Sequence, residues 1–569
     1  MRRAGIAGSG IIRVELDAES GDSFFRKGER LFFRLAGGAI SGLKERRSPY
    51  RSIKRKPPLP ALAPRKNVLL CFPRTANDPR WRSVGLPAAH LFVGSALSAA
   101  GFQVTARTVS WPGEDADVHS HDTVGLTLFE DLFESADGFL RSLRSRFNGL
   151  IAAGGPFVTL APMAAAYHLD AVDLFLRGEV ENIFPEVLRI LSGEDPNALF
   201  NYPGLFYSRE GLLLMSDFDL APQQPDLHDF RFQLGFATTE QVGSGLEICL
   251  SRGCSRGCAF CCHVQGRKLR RLPATRVDAL LASFREKSEA SGTAAPNAGT
   301  VNINDDDILQ DPEYAASVFA LLRKHRLKLW GVQSSLPSFF DGRGKPAGGI
   351  LELVSAGDLY VGREPLVWLG SDVFLKARGR RLGKAVPADD SLRALLFEFE
   401  RRSIRNFHYW ISSDHGSNWQ EFIAEILLLV ALHNEFPRFG LLAHAPFLIP
   451  YRATPVFKAI SAPPFRNRMR LRRELIGGDP WFAYSLVERV ETAYESLNRL
   501  LLNRKPEGSR QGFFDFLKIR DFPGALRTAL FFLKQERFQS AADADRTFLS
   551  DLCALEEKLE AEILILVYK

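Results

Sequence analysis

The sequence predicts an α/β protein with a helix-covered parallel sheet, then a full or partial parallel βα barrel, then a helical domain. Two separate series of short apolar runs alternate with stretches of helical periodicity, one beginning at residue 66 and the other at residue 246. This alternation is typical of parallel sheets with helices packed on their faces. Residues 461–569 lack the alternation and are rich in Leu, Arg, Glu and Phe at helical spacing.

The first series predicts a parallel sheet with helices on both faces. Its expected strands are "NVLLCF", "FQVTARTV", "DTVGLTL", "GLIAAGG" and "DLFLRGE", and its expected helices are "LPAAHLFVGSALSAAG", "EDLFESADGFLRSLRSRF" and "NIFPEVLRIL". Sheets of this type bind ligands beyond the carboxyl ends of their strands. We assign this domain to residues 66–200 and the turn-rich residues 201–245 to a connector.

The second series, in residues 246–460, predicts about six βα units that form a partial or complete parallel barrel. The expected strands are "LEICLSR", "TVNIN", "KLWGVQSS", "PLVWLGS", "NFHYWISS" and "GLLAHAPFLIP". Helical stretches such as 312–325 and 419–435 separate them. Because barrels of this kind carry their chemistry at the carboxyl ends of the strands, we expect the functional residues there.

The net charge of +7 does not indicate a nucleic-acid-binding face. Residues 44–66 hold nine Lys or Arg and one Glu, so the rest of the chain sums to about −1. This Pro-rich stretch predicts a solvated linker, and we expect no specific nucleic-acid partner. The preceding "SFFRKGERLFFRLAGGAISGL" predicts a short basic amphipathic helix, which would dock either on a membrane surface or on the protein's own body. Residues 1–65 are thus assigned to a basic extension and linker.

The cysteine usage and the hydropathy pattern predict a cytoplasmic protein. Seven cysteines are too few, and odd in number, for a disulfide-built secreted protein. The amino-terminal residues carry charges where the apolar region of a signal peptide would run. The longest uncharged run, residues 150–169, is interrupted by Gly and Pro, which favours a strand, a turn and a helix over a membrane span.

Residues 251–262, "SRGCSRGCAFCC", hold four of the seven cysteines, directly after the first strand of the second series. A zinc site would need four ligands, and only the adjacent Cys262 or His263 could complete one. A disulfide conflicts with the reducing compartment, and a cluster of buried thiols remains an alternative. The spacing Cys254-x-x-x-Cys258-x-x-Cys261 suits a cubane iron–sulfur cluster, with one iron left open to a small molecule.

This motif resembles the signature of the radical S-adenosylmethionine (radical SAM) superfamily, CxxxCx-aromatic-C, with Phe260 as the aromatic residue. The resemblance implies that Cys254, Cys258 and Cys261 hold a [4Fe-4S] cluster. It also implies that the fourth iron binds the amino and carboxyl groups of S-adenosylmethionine, which is cleaved to a 5′-deoxyadenosyl radical.

Two later segments resemble SAM-binding parts of the same superfamily. "INDDDILQD" resembles its second-strand segment, which implies that Asp305 and Asp306 help to hold the methionine amino group; acids that cap a helix N-terminus are the alternative. "LGSDVFLKARGRRLGK" resembles its fourth-strand segment, which implies that Ser371 lies near the SAM carboxylate or ribose. Trp368 stands where the family often has Glu.

The amino-terminal series resembles the Rossmann-like cobalamin-binding domain that precedes many radical SAM cores. The segments that carry the resemblance are "VGLPAAHLFVGSALSAAGFQV", "DTVGLTLFED", "AAGGPFVT" and "FLRGEVEN". It implies that the cobalamin nucleotide tail packs at Thr127, Gly154 and Gly155. The loop "CFPRTANDPRW" lacks the His of the DxHxxG motif, so bound cobalamin would have no axial His from this motif; a domain that has lost cobalamin is the alternative.

Together the resemblances imply a cobalamin-dependent radical SAM methyltransferase that acts on an unactivated carbon. One alternative keeps the radical chemistry but catalyses cyclisation, rearrangement or oxidation without methyl transfer. Another is a non-catalytic, metal-stabilised binding protein. The substrate would be a small molecule, a lipid or a peptide, and the electron donor an external flavodoxin or ferredoxin; the sequence assigns no catalytic side chain beyond the cofactor ligands.

Overall fold

The structure is a computed structural model that describes four short strands within residues 13–42 and most of residues 66–460. Within the latter range its gaps fall mainly at 76–85, 112–117, 130–132, 161–170, 194–204, 216–226, 291–297 and parts of 412–453. The predicted helical domain, residues 461–569, and the linker at 44–65 lie outside the described residues.

An amino-terminal parallel sheet forms as the first alternating series predicts. Its five parallel strands are β5 (Asn67–Thr75), β6 (Gln103–Trp111), β7 (Thr123–Thr127), β8 (Leu150–Gly154) and β9 (Leu174–Leu176). They pair in the order β9-β8-β7-β5-β6, all parallel. The helices between and after them are α1 (Ala88–Ala99), α2 (Phe133–Arg146), α3 (Pro156–Leu160) and α4 (Phe184–Gly193).

Both faces of this sheet are apolar, as expected for parallel strands covered on two sides. Successive residues of β5 point to opposite faces: Val68 and Leu70 belong to one buried cluster, and Leu69 and Cys71 to another. The first cluster includes residues of α1 and α4, and the second includes residues of α2. The sheet is therefore a layer between helices. Because its five strands are parallel, their carboxyl ends all lie at the same edge.

Six antiparallel strands extend this sheet beyond β9. They are β1 (Arg13–Leu16), β2 (Ser23–Lys27), β3 (Arg30–Arg34), β4 (Ile40–Gly42), β10 (Leu205–Arg209) and β11 (Leu212–Met215). The full order is β4-β3-β2-β1-β11-β10-β9-β8-β7-β5-β6. The predicted connector thus contributes a hairpin, β10–β11, which its turn-rich composition did not suggest.

The prediction of an amphipathic helix within residues 23–43 is wrong. Strands β2 and β3 occupy this segment, with Phe24 opposite Phe33 and Phe25 opposite Phe32. Phenylalanine favours strands, and two such runs separated by a Gly-containing pair of residues form a hairpin more readily than a helix.

The second sheet consists of six parallel strands in sequence order. They are β12 (Leu246–Ile248), β15 (Thr300–Ile303), β16 (Lys328–Ser335), β17 (Leu366–Asp372), β18 (Arg405–Trp410) and β19 (Phe439–Leu442). Consecutive neighbours pair throughout. Within the described residues no ladder joins β19 to β12, so the described strands form a partial barrel.

Helices cover the outer face of the partial barrel. They include α5 (Thr239–Gly243), α6 (Ala274–Ala290), α7 (Pro312–Lys324), α8 (Gly348–Val354), α9 (Lys376–Leu382), α10 (Asp389–Arg401) and α11 (Pro455–Ile460). Helix α7 matches the predicted 312–325, whereas residues 419–435 are described only in part. Among the described helices, none combines the length and the apolar character that crossing a membrane requires.

The two sheets share one hydrophobic core. A single buried cluster runs from Leu91 and Phe92 on α1 to Leu246 and Ile248 on β12 and on to the barrel helices. Leu86, just before α1, forms a parallel bridge with Leu246. The amino-terminal sheet and the barrel therefore pack directly against each other at the first barrel strand.

Candidate functional site

The cysteine motif lies in a loop, residues 253–269, that follows the first barrel strand; it is called the cysteine loop below. A two-stranded antiparallel ladder closes its base, with β13 (Ser251–Arg252) paired to β14 (Arg270–Arg271). Gly253 enters the loop at φ +92°, and a Cβ there would overlap the Lys268 carbonyl oxygen. Glycine is required at this position because the backbones approach too closely for any side chain.

Backbone hydrogen bonds from two other elements fix the cysteine loop. The Ala259 N–H donates to the Leu382 carbonyl at 2.7 Å, and the Val456 N–H donates to the Ala259 carbonyl at 3.1 Å. Gly383, at φ +62°, ends α9 so close to the loop that a Cβ would lie 2.6 Å from the Gly257 carbonyl oxygen. The loop is therefore held between the ends of α9 and α11.

The three predicted ligands, Cys254, Cys258 and Cys261, are free thiols on one turn of this loop. Burial raises the pKa of Cys254 to about 11 and also raises that of Cys258, although Lys384 opposes the rise at Cys258. A hydrogen bond with Cys262 lowers the pKa of Cys261 to about 7 and raises that of Cys262. Metal would have to displace protons from Cys254 and Cys258, since the thiolate is the ligand.

The donor set fits a cubane cluster. In the described part of the chain no three His, Cys, Asp or Glu side chains converge closely enough to hold a single metal ion. Cubane iron–sulfur clusters are bound by thiolates, and three cysteines on one loop match such a cluster with one iron left open. Cys249 is not part of this set, because its thiol donates to the Asn304 carbonyl at 3.3 Å.

The predicted aromatic residue of the motif, Phe260, packs against a small apolar cluster that contains Leu382 and Val456. These residues neighbour the two backbone hydrogen bonds that hold the loop. Phe260 thus anchors the motif to the barrel, and its contact with SAM stays a prediction.

Asp305 follows strand β15 and holds the start of the cysteine loop. Its buried carboxylate accepts hydrogen bonds from the Leu250 N–H at 2.6 Å, the Ser251 N–H at 2.7 Å and the Ser251 hydroxyl at 2.5 Å. Burial raises its pKa to about 7 despite these donors. Asp306, the other predicted acid, is exposed beside the loop. The assignment of both to the methionine amino group stays a prediction. Burial raises the pKa of Asp306, and a hydrogen bond with the Gly253 backbone opposes the rise.

Asp307 is a functional candidate that the sequence reasoning missed. It is fully buried and accepts hydrogen bonds from the hydroxyls of Ser334, Ser335 and Ser338, at 2.5, 2.5 and 2.9 Å. The Nε of Arg256, in the cysteine loop, lies 3.6 Å from its carboxylate. The run of three aspartates was the available signal, but the serines that distinguish Asp307 lie at the end of the next strand, β16, and just after it.

Ser371 faces the helix-covered side of the barrel sheet rather than its open side. It is 1% exposed, and its hydroxyl lies 2.7 Å from Nδ1 of the buried His408. The other ring nitrogen of His408 lies 3.0 Å from the side-chain oxygen of Asn406, and burial lowers the His408 pKa to about 3. The neutral ring therefore donates to Asn406 and accepts from Ser371. The contact of Ser371 with SAM stays a prediction.

Lys384 supplies a cation beside the cysteine loop. Its ammonium group is buried and pairs with Asp372 at 2.5 Å, at the carboxyl end of β17. Despite burial, Asp372 and Cys258 raise the Lys384 pKa. A Cβ on Gly370 would lie 3.5 Å from the Lys384 ammonium, which places this cation on the open side of the sheet. Lys384 is the last residue of the segment "LGSDVFLKARGRRLGK" and follows α9 by two residues. Nothing in the sequence distinguishes it from the other basic residues of that segment.

A cleft that is partly open to solvent lies in the amino-terminal domain between the sheet and helices α1 and α4. The three predicted residues, Thr127, Gly154 and Gly155, line it together. Gly155 adopts φ +94°, and a Cβ there would lie 2.9 Å from the Leu128 backbone. The remaining lining residues are Leu70, Ala89, His90, Val93, Gly125, Leu126, Ala152, Leu176, Val180 and Phe184.

No protein-family model and no curated protein matches the chain significantly. Among solved structures it resembles the cobalamin-dependent S-adenosylmethionine radical enzyme OxsB with aqua-cobalamin and S-adenosylmethionine bound. The TM-score is 0.59 and the sequence identity 10%, and the match covers 100% of this chain and 90% of that one. The radical S-adenosylmethionine methyltransferase TsrM from Kitasatospora setae, with tryptophan substrate and a SAM analogue bound, is 17% identical over 66% of this chain and 72% of that one, with a TM-score of 0.49. The chain shares the fold of OxsB.

In this fold, a buried charged network joins the cleft domain to the cysteine loop. Arg252, at the base of the loop, pairs at 2.5 Å with both Glu179 and Glu181, which follow strand β9. Arg270, opposite Arg252 in the ladder, also pairs with Glu179. The Arg252 guanidinium stacks 4.1 Å above the Phe92 ring of α1. Both glutamates belong to the segment "FLRGEVEN", one of the four that carry the resemblance to a cobalamin-binding domain, and they contact the base of the cysteine loop.

Proposed function

We propose that the chain is a cobalamin-dependent radical SAM enzyme that transfers a methyl group to an unactivated carbon. One observation carries the proposal: a three-cysteine loop at the carboxyl end of the first barrel strand lies directly against a sheet whose own cleft is lined by the predicted tail-binding residues. The fold shared with OxsB, a cobalamin-dependent S-adenosylmethionine radical enzyme, supports it.

In this proposal Cys254, Cys258 and Cys261 ligate a [4Fe-4S] cluster, and the cleft receives cobalamin. With S-adenosylmethionine bound, these groups supply a 5′-deoxyadenosyl radical and a methyl donor. The protein's part is to position them and exclude water. Asp305 fixes the base of the cysteine loop by three hydrogen bonds, and the ladder of β13 and β14 closes it.

The charges around the loop suit the two ends of the methionine part of SAM. We assign the carboxylate of SAM to Lys384, whose buried ammonium group lies next to Cys258 on the open side of the sheet. We assign its ammonium group to Asp306, the exposed acid next to the loop. Ser371 faces the other side of the sheet, where it is buried and donates to His408, so it takes no part in this assignment.

The substrate is assigned to the open side of the barrel sheet. Trp368 and Phe407 are paired neighbours in the sheet, and Tyr409 donates to Gln333 across β17 at 3.4 Å. Aromatic rings with a few polar groups are the usual lining of small-molecule sites. A small-molecule substrate fits this surface, and an external flavodoxin or ferredoxin in a reducing cytoplasm would supply electrons.

Anaerobic reconstitution of the full chain tests the proposal. We expect roughly four irons and four sulfides per chain, binding of cobalamin, consumption of SAM with release of 5′-deoxyadenosine, and products that gain the mass of one methyl group. A protein that bound cobalamin but never consumed SAM would contradict the proposal. Products that lose hydrogens or are isomers of the substrate would keep the radical chemistry and exclude methyl transfer.

A further inference from the structure

His90 is a buried histidine that lines the cleft and makes no hydrogen bond within the described structure. It lies near the start of α1, is 2% exposed, and neither ring nitrogen has a partner. The Cys71 backbone favours the charged ring weakly, but its geometry does not amount to a hydrogen bond. The ring packs edge-on against Phe72, with centroids 5.8 Å apart.

An unpaired buried imidazole is costly, so its retention needs an explanation. A buried polar group without a partner destabilises a fold by about 1–3 kcal/mol. Burial lowers the His90 pKa to about 3, so the ring is neutral near pH 7 and offers one N–H donor and one lone pair. Apart from Thr127, the side chains around it are apolar, and Leu70, Val93, Leu176 and Phe184 form much of the lining.

The cleft therefore suits a ligand of particular chemistry. The ligand must be thin enough to enter between a sheet and a helix, apolar over most of its surface, and able to pair with one neutral imidazole. A planar, methyl-substituted heteroaromatic ring with one unprotonated ring nitrogen meets all three conditions. The dimethylbenzimidazole base of the cobalamin tail is such a ring, provided that its ring nitrogen is not bound to cobalt.

We propose that His90 donates a hydrogen bond to the free ring nitrogen of this base and so selects cobalamin by its tail. The inference rests on the proposed function, because it takes cobalamin as the occupant of the cleft. His90 acts as a positioning residue. By engaging the nitrogen that would otherwise reach cobalt, it favours the conformation in which the base is detached from the metal.

The test compares cobalamin with cobinamide, which has the same corrin ring but no nucleotide tail. The full-length protein is titrated with each compound, and binding is followed by absorbance, without any turnover. In His90→Leu we expect the affinity for cobalamin to fall about tenfold, since a buried acceptor is left unpaired. The affinity for cobinamide should stay within about twofold, because cobinamide does not reach His90. His90→Gln, which keeps an N–H donor, should recover part of the loss.

A second measurement separates this role from a purely structural one. Without ligand, His90→Leu should melt at the same temperature as wild type or higher, because it removes an unpaired buried group. Equal losses of affinity for cobalamin and cobinamide, or no loss for either, would overturn the inference while leaving the proposed function intact. Failure of the wild-type protein to bind either compound would instead remove the proposed function.

Electron paramagnetic resonance of the bound cobalt(II) form distinguishes a different role for the same residue. We expect no nitrogen splitting from an axial ligand in wild type, because the base is detached and His90 faces the base. An axial nitrogen splitting that disappears in His90→Leu would show that His90 ligates cobalt, which contradicts the hydrogen bond proposed here.

Discussion

Arg252 and Glu181 form an ion pair at 2.5 Å, and their side chains are only 5% and 6% exposed. Arg252 lies at the base of the cysteine loop, and Glu181 follows the last parallel strand of the amino-terminal sheet. The guanidinium also contacts Glu179 and the Phe92 ring, so a single side chain contacts two segments of the other domain, the one after β9 and helix α1. The position of the cluster loop relative to the cleft is therefore set by directional contacts as well as by apolar packing.

Replacing this arginine should destabilise the whole protein. Removing one member of a buried ion pair leaves an uncompensated charge and costs about 3–5 kcal/mol, so Arg252→Ala should lower the urea midpoint markedly. The matched control is Arg189→Ala, which removes an exposed pair with Glu186 and should cost less than about 1 kcal/mol. Similar midpoints for the two variants would show that the network does not join the domains energetically.

The iron content should depend on three cysteines and not on the fourth. Cys258→Ala removes a ligand of the proposed cluster, so the reconstituted protein should lose most of its iron and all SAM cleavage. Cys262→Ala is the control, because this thiol is a bystander in the proposed assignment, and it should retain iron close to the wild-type level. Far-ultraviolet circular dichroism checks that both variants fold. Full activity in Cys258→Ala would contradict the cluster assignment.

Lys384 should contribute to SAM affinity rather than to cluster assembly. Lys384→Met removes the buried cation that we assign to the SAM carboxylate. A charge-assisted hydrogen bond contributes about 1.5–3 kcal/mol, so the affinity for SAM should fall roughly 10- to 100-fold. Equilibrium dialysis of the reconstituted protein measures this, with iron content determined on the same sample. The exposed Lys345→Met is the control. Unchanged SAM affinity in a variant with a full cluster would remove Lys384 from the SAM site.

A side chain at residue 154 should exclude the cobalamin tail without disturbing the fold. A Cβ at Gly154 meets only the Leu176 carbonyl, at 3.5 Å, so Gly154→Val can be accommodated while it fills part of the cleft. We expect cobalamin binding to weaken by at least about tenfold and the melting temperature to change little. Gly138→Val, on an exposed position of α2 with open space around it, is the control. Wild-type binding in Gly154→Val would indicate that the tail lies elsewhere.

Because of Glu247, the free energy of unfolding should fall as the pH rises from about 4.5 to about 7. Burial raises its pKa from 4.5 to about 7, although the Ala88 N–H opposes the rise. Over this range the folded protein binds more protons than the unfolded one. The contribution of Glu247 to the free energy of unfolding is therefore complete below pH 4.5 and is lost as the pH passes 7. Glu247→Gln keeps an acceptor for Ala88 and should flatten the dependence by up to about 3 kcal/mol. Urea midpoints across this range measure it, and parallel curves for both proteins would exclude Glu247 as the cause.

The sequence predicted the parallel strands well because buried strands are continuous apolar runs whose ends are marked by turns. Strand β16 has the predicted bounds, and the cysteine motif lies after the first barrel strand as expected. Side chains whose role depends on distant partners were missed. Asp307 is distinguished by serines at the end of the next strand, and His90 by the absence of a partner in the cleft; neither property is local in sequence.

The antiparallel extension could not be predicted for a related reason. Its strands are short, and their pairing joins residues far apart in the chain, with Arg13 opposite Leu214. Periodicity over a few residues does not separate such a hairpin from a short helix. The same limit applies to Ser371, where the motif placed the residue on the correct strand but not on a face of the sheet.

The pairing of β1 with β11 also bears on how the chain is made. Strands β1–β4 are synthesised first, yet the strand on which they assemble is β11, about two hundred residues later. Until that segment leaves the ribosome, the amino-terminal hairpins have no edge to join, and closing so large a loop is slow. During translation these Phe-rich strands would need protection from other sheet edges, so the yield of folded protein should respond to chaperone supply more strongly than its final stability suggests.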